Sequence, residues 1–483
     1  MSATLISSVE LVLVRFEWAV LVYFALANAF YALLLLVASR ELTLHLQRIW
    51  HENRSRLLGS RLAPSVSVIA PAYNEEATID ESVRALLTLH YANLEVVVVN
   101  DGSSDDTLDV LRKRFDLVPV HNLVWRRIDT KPVRALYRSR THPNLLVADK
   151  VNGGKADALN VGLNLATGDL VCAIDADTLI EADSLQRMVR PFLSDDSVVA
   201  AGGTIRVVNG SVVHGGRVTE VRVPRRLLAG VQTVEYLRAF FFGRLGWNGL
   251  GGNLVISGAF GLFRCDSVID VGGYTDGTVG EDMELVLKLR RRAYERGTPC
   301  RIEFIPDCVA WTEVPESLRA LGRQRDRWHR GLADVLVRHR AMLLNPRYGS
   351  AGLLALPYFV FVELLGPLVE LLGLVGLAMA IALGVLDTSF ALLFFAVAYG
   401  LGLLMSAAAI LLEELGFHRH RRLRDRFLLI AWALVEGIGY RPLTVVWRLR
   451  GLVRFLLGRT DWGRMERRGF QPPASASTLV PRT

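Results

Sequence analysis

Val171-Cys-Ala-Ile-Asp175-Ala-Asp177-Thr178 is an apolar run that stops at two carboxylates one residue apart. Residues 170–174 have the composition of a strand covered on both faces. Asp175 and Asp177 then fall at its carboxyl end. Paired carboxylates in that place suit a hard divalent cation, Mg²⁺ or Mn²⁺, which keeps some of its water and takes further oxygens from a substrate's phosphates. An Asp-rich turn reads the same way in isolation, so the weight rests on the surrounding chain.

Upstream the same grammar repeats. Residues 64–70 form a short apolar strand that ends in Pro71-Ala-Tyr73-Asn74-Glu75-Glu76. A helix is expected over 75–89, with Ile79, Val83, Leu86 and Leu87 on one face. Residues 94–99 read as a second strand, and Asn100-Asp101-Gly102-Ser103-Ser104-Asp105 turns the chain and caps the next helix. Strands alternating with helices predict an α/β fold with a parallel, doubly wound sheet. Such sheets bind ligands beyond the carboxyl ends of their strands, where strand order reverses. Asn74, Asp101 and the Asp175/Asp177 pair all lie at such ends, so three polar clusters converge on one crevice.

Val151-Asn-Gly-Gly-Lys155 opens a helix, and glycines there leave backbone N–H groups to meet a phosphate, with Lys155 as a point charge. A nucleotide-hydrolysing P-loop is excluded: the spacing is short and Ala156 follows the lysine. Gly280-Glu281-Asp282 starts an amphipathic helix through about residue 292, where an acid is either a macrodipole partner or a chemical group. Gln324, Arg327 and Trp328 stand at i, i+3 and i+4 and share a helix face.

The chain has 483 residues, 51% of them hydrophobic, and a mean hydropathy of +0.30. Residues 18–39 carry no charge, about 22 positions, enough to cross a hydrocarbon core of roughly 30 Å. The run is too long for a signal-peptide core and reads as a retained transmembrane helix. The net charge of +8 does not point to nucleic acid. Much of the Lys and Arg sits beside apolar segments, at 40–61 and 419–426, as cytoplasmic loops require. Cys172, Cys265, Cys300 and Cys308 lack metal-site spacing and read as reduced, packed thiols.

Past Pro346 the chain turns apolar again. Residues 353–386 hold Pro357, Glu363, Pro367 and Glu370, so they form a broken helix or an interfacial piece plus a span. The two glutamates either line a polymer path or pair with arginines. Residues 388–412 form a clean span, whereas 427–447 are interrupted by Glu436, Gly439, Tyr440, Arg441 and Pro442. The expected span number is three or four, and residues from 471 onward are expected to be disordered.

In order along the chain, PAYNE at 71–75, NDGSSDDT at 100–107, NGGKADALN at 152–160, DAD at 175–177, GED at 280–282 and QRDRW at 324–328 resemble the membrane-embedded family-2 glycosyltransferases. These are the poly-N-acetylglucosamine, hyaluronan, chitin and cellulose synthases, and the resemblance covers about 64–331. It implies a GT-A-like catalytic domain flanked by transmembrane helices. Residues 1–60 would form a transmembrane helix with a basic linker, 61–345 the catalytic domain, 346–450 membrane or interfacial helices, and 451–483 a basic tail.

By the same resemblance, Pro71, Tyr73, Asn74, Glu75 and Asp101 hold the nucleotide, with Lys155 beside it. Asp175 and Asp177 contact the ribose and the metal-bound diphosphate. Asp282, with Glu281, supplies the general base, and Gly280 replaces the family's usual threonine. Gln324, Arg327 and Trp328 close over the diphosphate and the acceptor. The implied partners are a UDP-sugar donor, a polysaccharide acceptor and the lipid bilayer, with room for a small membrane accessory subunit. The implied place is the inner or plasma membrane, multi-pass, with the catalytic domain cytoplasmic. The stretches 115–151 and 209–230 look longer than in those synthases. Transfer of one sugar to a lipid carrier is the alternative activity, and a non-catalytic membrane scaffold the alternative of another class.

Overall fold

Val66–Ala72 (β1) and Leu94–Asn100 (β2) run parallel at the centre of the sheet, with Ala72 opposite Asn100. Val96, Val97, Val98 and Val99 are fully buried, the condition that a β-branched run meets between two helical layers. The computed structural model describes residues 3–51, 63–121, 126–175, 177–419 and 422–459. Ala176, most of the basic linker before residue 63, the middle of the 419–426 loop and the tail beyond 459 lie outside the described residues.

The chain continues through Leu117–Val120 (β3), Val133–Ser139 (β4), Leu145–Lys150 (β5), Leu170–Ala173 (β6), Leu179–Ile180 (β7), Val198–Val207 (β8), Val212–His214 (β9), Arg217–Glu220 (β10), Gly261–Arg264 (β11) and Arg301–Thr312 (β12). Ten strands form one sheet in the order β3-β4-β5-β2-β1-β6-β11-β8-β12-β7, and β9 and β10 make a separate hairpin. From β1 the chain builds outward through β2 to β5, then returns to place β6 on the other side of β1. That reversal opens a crevice at the carboxyl ends of β2, β1 and β6.

The expected parallel, doubly wound sheet is present in β5-β2-β1-β6, and antiparallel strands on either side make the whole sheet mixed. β11 runs antiparallel to both β6 and β8, and β3 and β4 add an antiparallel edge beyond β5. The link from β4 to β5 is too short for a helical crossover, so the strand must return antiparallel. Part of the 115–151 stretch thus extends the sheet. The 209–230 stretch includes the β9–β10 hairpin, which packs against helix Ile79–Leu87: Arg217 donates to the Thr88 carbonyl at 3.2 Å.

Helix Lys155–Leu165 crosses from β5 to β6 with every residue from Asp157 to Leu165 buried. Gly162 permits this approach, since a Cβ there would sit 2.2 Å from Ile69 Cγ2. On the same helix Asn160 exchanges two hydrogen bonds with the Tyr274 backbone. One turn later Asn164 accepts from the Ile128 N–H and donates to its carbonyl. These amides act like strand partners and fix otherwise irregular loops to the core.

The described chain divides into two compact units. One holds the sheet, within Gln47–Arg225 and Asn253–Val314; the other takes in Met1–Leu46, Arg226–Gly252 and Pro315–Gly463. In the second unit, Leu11–Ile49 and Thr388–Phe417 are each long and apolar enough to cross a membrane. Ala351–Leu364 and Gly366–Ala382 form a third candidate as a pair bent by 40°. The helices of 423–456 do not qualify. Among the described residues, two or three candidate spans therefore overlap the expected three or four at three.

The bend separates Glu363 from Glu370, and each has an arginine partner. Glu370 lies 3.1 Å from Arg441, and Glu363 lies 3.1 Å from Arg448. Of the two readings open for these glutamates, the structure shows the ion pairs. Cys172, Cys265 and Cys308 are buried and Cys300 half-buried, all as free thiols.

Candidate active site

Lys155 is the hub of the acidic cluster in the sheet unit. Its Nζ stands 2.7 Å from Asp175 Oδ1, at the end of β6, and 3.0 Å from Glu281 Oε1, in the first turn of helix Glu281–Arg296. Burial alone would lower its proton affinity. The combined field of Asp175, Glu281 and Asp282 outweighs burial and holds its pKa well above the usual lysine range. The lysine therefore stays charged and ties the strand end to the helix start.

Glu281 and Asp282 differ in access. Glu281 is buried, and burial raises its pKa first, against the pull of Lys155. Asp282 is only partly buried; its Oδ2 accepts from the Gly258 N–H at 3.2 Å and its Oδ1 from the Met283 N–H at 2.8 Å. A Cβ on Gly258 would come within 3.0 Å of Lys155 Nζ. The Ile256-Ser-Gly-Ala-Phe-Gly261 turn thus lies directly against the cluster.

Asp177 is part-buried, and its carboxyl is pushed up to about 7, by burial first and by Asp175 second. Two crowded carboxylates, one of them resisting ionisation, make a donor set that a divalent cation would relieve. No group of three or more His, Cys, Asp or Glu placed to hold a metal occurs among the described residues. The pair fits an ion that completes its shell with phosphate and water oxygens, and does not form an all-protein cage.

Asp101, at the end of β2, is 3% exposed. Its Oδ1 accepts from Lys150 Nζ at 2.6 Å and from the Gly153 N–H at 2.9 Å, and its Oδ2 accepts from the Gly154 N–H at 2.8 Å. The glycine N–H groups expected to wait for a phosphate are instead taken by this carboxylate, which acts as the built-in anion of the turn. Lys150, fully buried, also lies 2.6 Å from Asp157. Sequence reading missed Lys150, because a lysine closing an apolar strand looks like a strand terminator.

The Tyr73-Asn74-Glu75 segment is latched to the loop after β2. Asn74 has φ 57°, a left-handed conformation that asparagine tolerates. Its Oδ1 accepts from the Ser104 N–H at 2.8 Å, while its own N–H donates to Ser103 Oγ. Glu75 is buried, its N–H donating to Thr107 Oγ1 and its carboxylate accepting from Thr78. Tyr73 is 52% exposed, and Pro71 lies within β1. These hydrogen bonds tie the loop down, and Tyr73 is its exposed ring.

Gln324, Arg327 and Trp328 belong to the other unit, on helix Leu318–Arg338. They share its more open face, with Trp328 43% exposed. The intervening residues point inward. Arg325 donates to Glu235 at 2.7 Å and to Tyr440, and Asp326, 1% exposed, accepts from Arg450 at 2.9 Å and Arg454 at 3.3 Å. Those anchors were hidden in sequence, since their partners lie about a hundred residues away in either direction.

Two family models match the chain: "Glycosyl transferase family 2" over residues 67–272 and "Glycosyl transferase family group 2" over 170–407. A poly-beta-1,6-N-acetyl-D-glucosamine synthase of Staphylococcus aureus strain COL is 30% identical over 274 residues, 56% of each chain. The synthase of Staphylococcus epidermidis is 29% identical over 288 residues, 59% of each. The match thus spans little more than half the length of these relatives. Among solved structures, the mannosyltransferase PcManGT of Pyrobaculum calidifontis, in complex with GDP-Man and Mn²⁺, aligns over 92% of this chain and 99% of its own. Its TM-score is 0.55 at 20% identity, a likeness of fold.

Proposed function

We propose that the chain, matched by family-2 glycosyltransferase models over residues 67–272 and 170–407, is a membrane-bound inverting transferase. It moves N-acetylglucosamine from a UDP-sugar to a growing β-linked polysaccharide and passes the polymer outward. The observation that carries this reading is the meeting of Asp175, Glu281 and Asp282 around Lys155 at the mouth of the crevice. The likeness to the staphylococcal synthases supports the choice of sugar. Two or three helices long and apolar enough to cross a membrane support a membrane location; in this proposal the sheet unit faces the cytoplasm.

Asp282 is the general base, because it is the accessible acid of the cluster and its carboxylate is held in place by two backbone N–H groups. An acceptor hydroxyl is a poor nucleophile, and a carboxylate that receives its proton assists by about 10²- to 10⁴-fold. Lys155, paired with Asp175 and Glu281, ties the strand end to the first turn of the helix that carries that acid. Asp101 and Lys150 stiffen the turn under the nucleotide, with Tyr73 at its rim. Direct displacement of the diphosphate from an α-linked donor inverts the anomeric centre and needs no covalent sugar intermediate. Asp175 and Asp177 would hold a divalent ion, Mg²⁺ or Mn²⁺, which supplies positive charge to the departing diphosphate. Gln324, Arg327 and Trp328 serve the diphosphate and acceptor end.

The test uses washed membranes carrying the full chain, labelled UDP-N-acetylglucosamine and Mn²⁺, with the product sized by gel filtration. High-mass product is expected. Label confined to an organic-extractable single-sugar lipid would instead assign the lipid-carrier activity.

A further inference from the structure

Pro367 has no N–H to give, so the carbonyl four residues before it, that of Glu363, loses its helical partner. Arg448, on helix Arg441–Leu456, fills that gap. Its Nη2 donates to the Glu363 carbonyl and also reaches Glu363 Oε2 at 3.1 Å. Tyr358 donates to the other carboxylate oxygen at 2.8 Å. The Nε of the same guanidinium donates to His329 Nδ1 at 3.3 Å. His329 is 3% exposed and follows Trp328 on helix Leu318–Arg338. One arginine is thus shared between the helix that carries Gln324, Arg327 and Trp328 and the 40° bend of the membrane helix pair. All of these groups lie within one compact unit.

We propose that Arg448 is a positioning residue, which locks the open face of helix Leu318–Arg338 in register with the bend at 364–367 and so keeps the acceptor end seated between successive transfers. This rests on the polymer-synthase reading. The planar guanidinium suits the task, since it satisfies a carbonyl, a carboxylate and an imidazole at once in a fixed fork. A lysine would supply the charge without that geometry. Loss of Arg448 alone leaves Glu363 as an uncompensated acid, so charge balance and positioning must be separated.

The experiment compares the wild-type full chain in washed membranes with Arg448→Lys and with the double variant Arg448→Met/Glu363→Gln, which removes both charges. In the double variant donor KM stays near wild type, while the thermal midpoint falls by a few degrees because the Glu363 carbonyl and His329 Nδ1 lose a donor. Its kcat falls by about 10²-fold, as a misplacement of about 1 Å allows, and its products shorten. Wild-type turnover and product length in the double variant would overturn the proposal. Amide exchange over residues 322–332 is followed in the same samples. It should quicken in both variants, more in the double, and unchanged exchange would overturn the brace whatever the activity. Failure of the wild-type chain to transfer sugar would count against the synthase reading, while the exchange arm still decides the role of Arg448.

Discussion

Lys155 Nζ lies 2.7 Å from Asp175, so the last turn of the carboxylate strand is bound to the lysine that opens the preceding helix. Because the same ammonium also reaches Glu281, one cation holds three chain segments in a fixed relation. The cluster is therefore built around a charge that belongs to the protein itself.

Lys155→Met leaves three carboxylates facing one another with no internal cation. Transfer at saturating donor is expected to fall by about 10²-fold or more, the scale of losing one preorganised charge in a water-poor site. Turnover within a few fold of wild type, measured by label incorporation, would remove Lys155 from the centre of the site.

Lys150→Met acts on stability instead. It strands Asp101 and Asp157, both nearly fully buried, and removing one partner from a buried ion network costs about 3–5 kcal/mol. The melting midpoint of the purified protein in detergent should drop by roughly 10 °C. A change of a degree or less would show that the two aspartates find other partners.

The strand ends were legible because apolar runs that stop at Asn74, Asp101 and Asp175 follow the rule that parallel strands present polar residues at one edge. Lys150 and the inward pair Arg325 and Asp326 were not legible. Each makes its contacts with residues far away in the chain, and no local period marks them. β11 was missed for a related reason: four residues wedged antiparallel between β6 and β8 carry no signal of direction. The arginine partners of Glu363 and Glu370 come from a helix more than seventy residues on, and the bend at Pro367 cancels the shared face that a seven-residue spacing implies.

Acidification should unfold the membrane unit through His329. Burial first, and Arg448 second, push its imidazole down to about 3. An unfolded chain takes up this proton near pH 6.5, whereas the folded one does not. The stability His329 contributes is full above about pH 6.5 and is lost as pH falls toward 3, at up to ~1.4 kcal/mol per pH unit. Thermal midpoints from pH 7 to 4.5 test this, and His329→Gln should flatten the slope. An unchanged slope in that variant would assign the acid sensitivity elsewhere.

Removal of divalent ions should end incorporation, and Mn²⁺ or Mg²⁺ should restore it. Asp177→Ala should abolish the dependence of donor binding on Mn²⁺, because the remaining Asp175 is already engaged by Lys155. A wild-type Mn²⁺ titration in that variant would refute the assignment of Asp175 and Asp177 to the ion.

The most direct test of Asp282 as the base is a paired measurement on the wild-type chain and Asp282→Asn in the same membranes: UDP binding by equilibrium titration, and sugar incorporation from labelled UDP-N-acetylglucosamine. The predicted result is UDP affinity within a few fold of wild type, with incorporation reduced by about 10²-fold or more. Full incorporation by Asp282→Asn would contradict it.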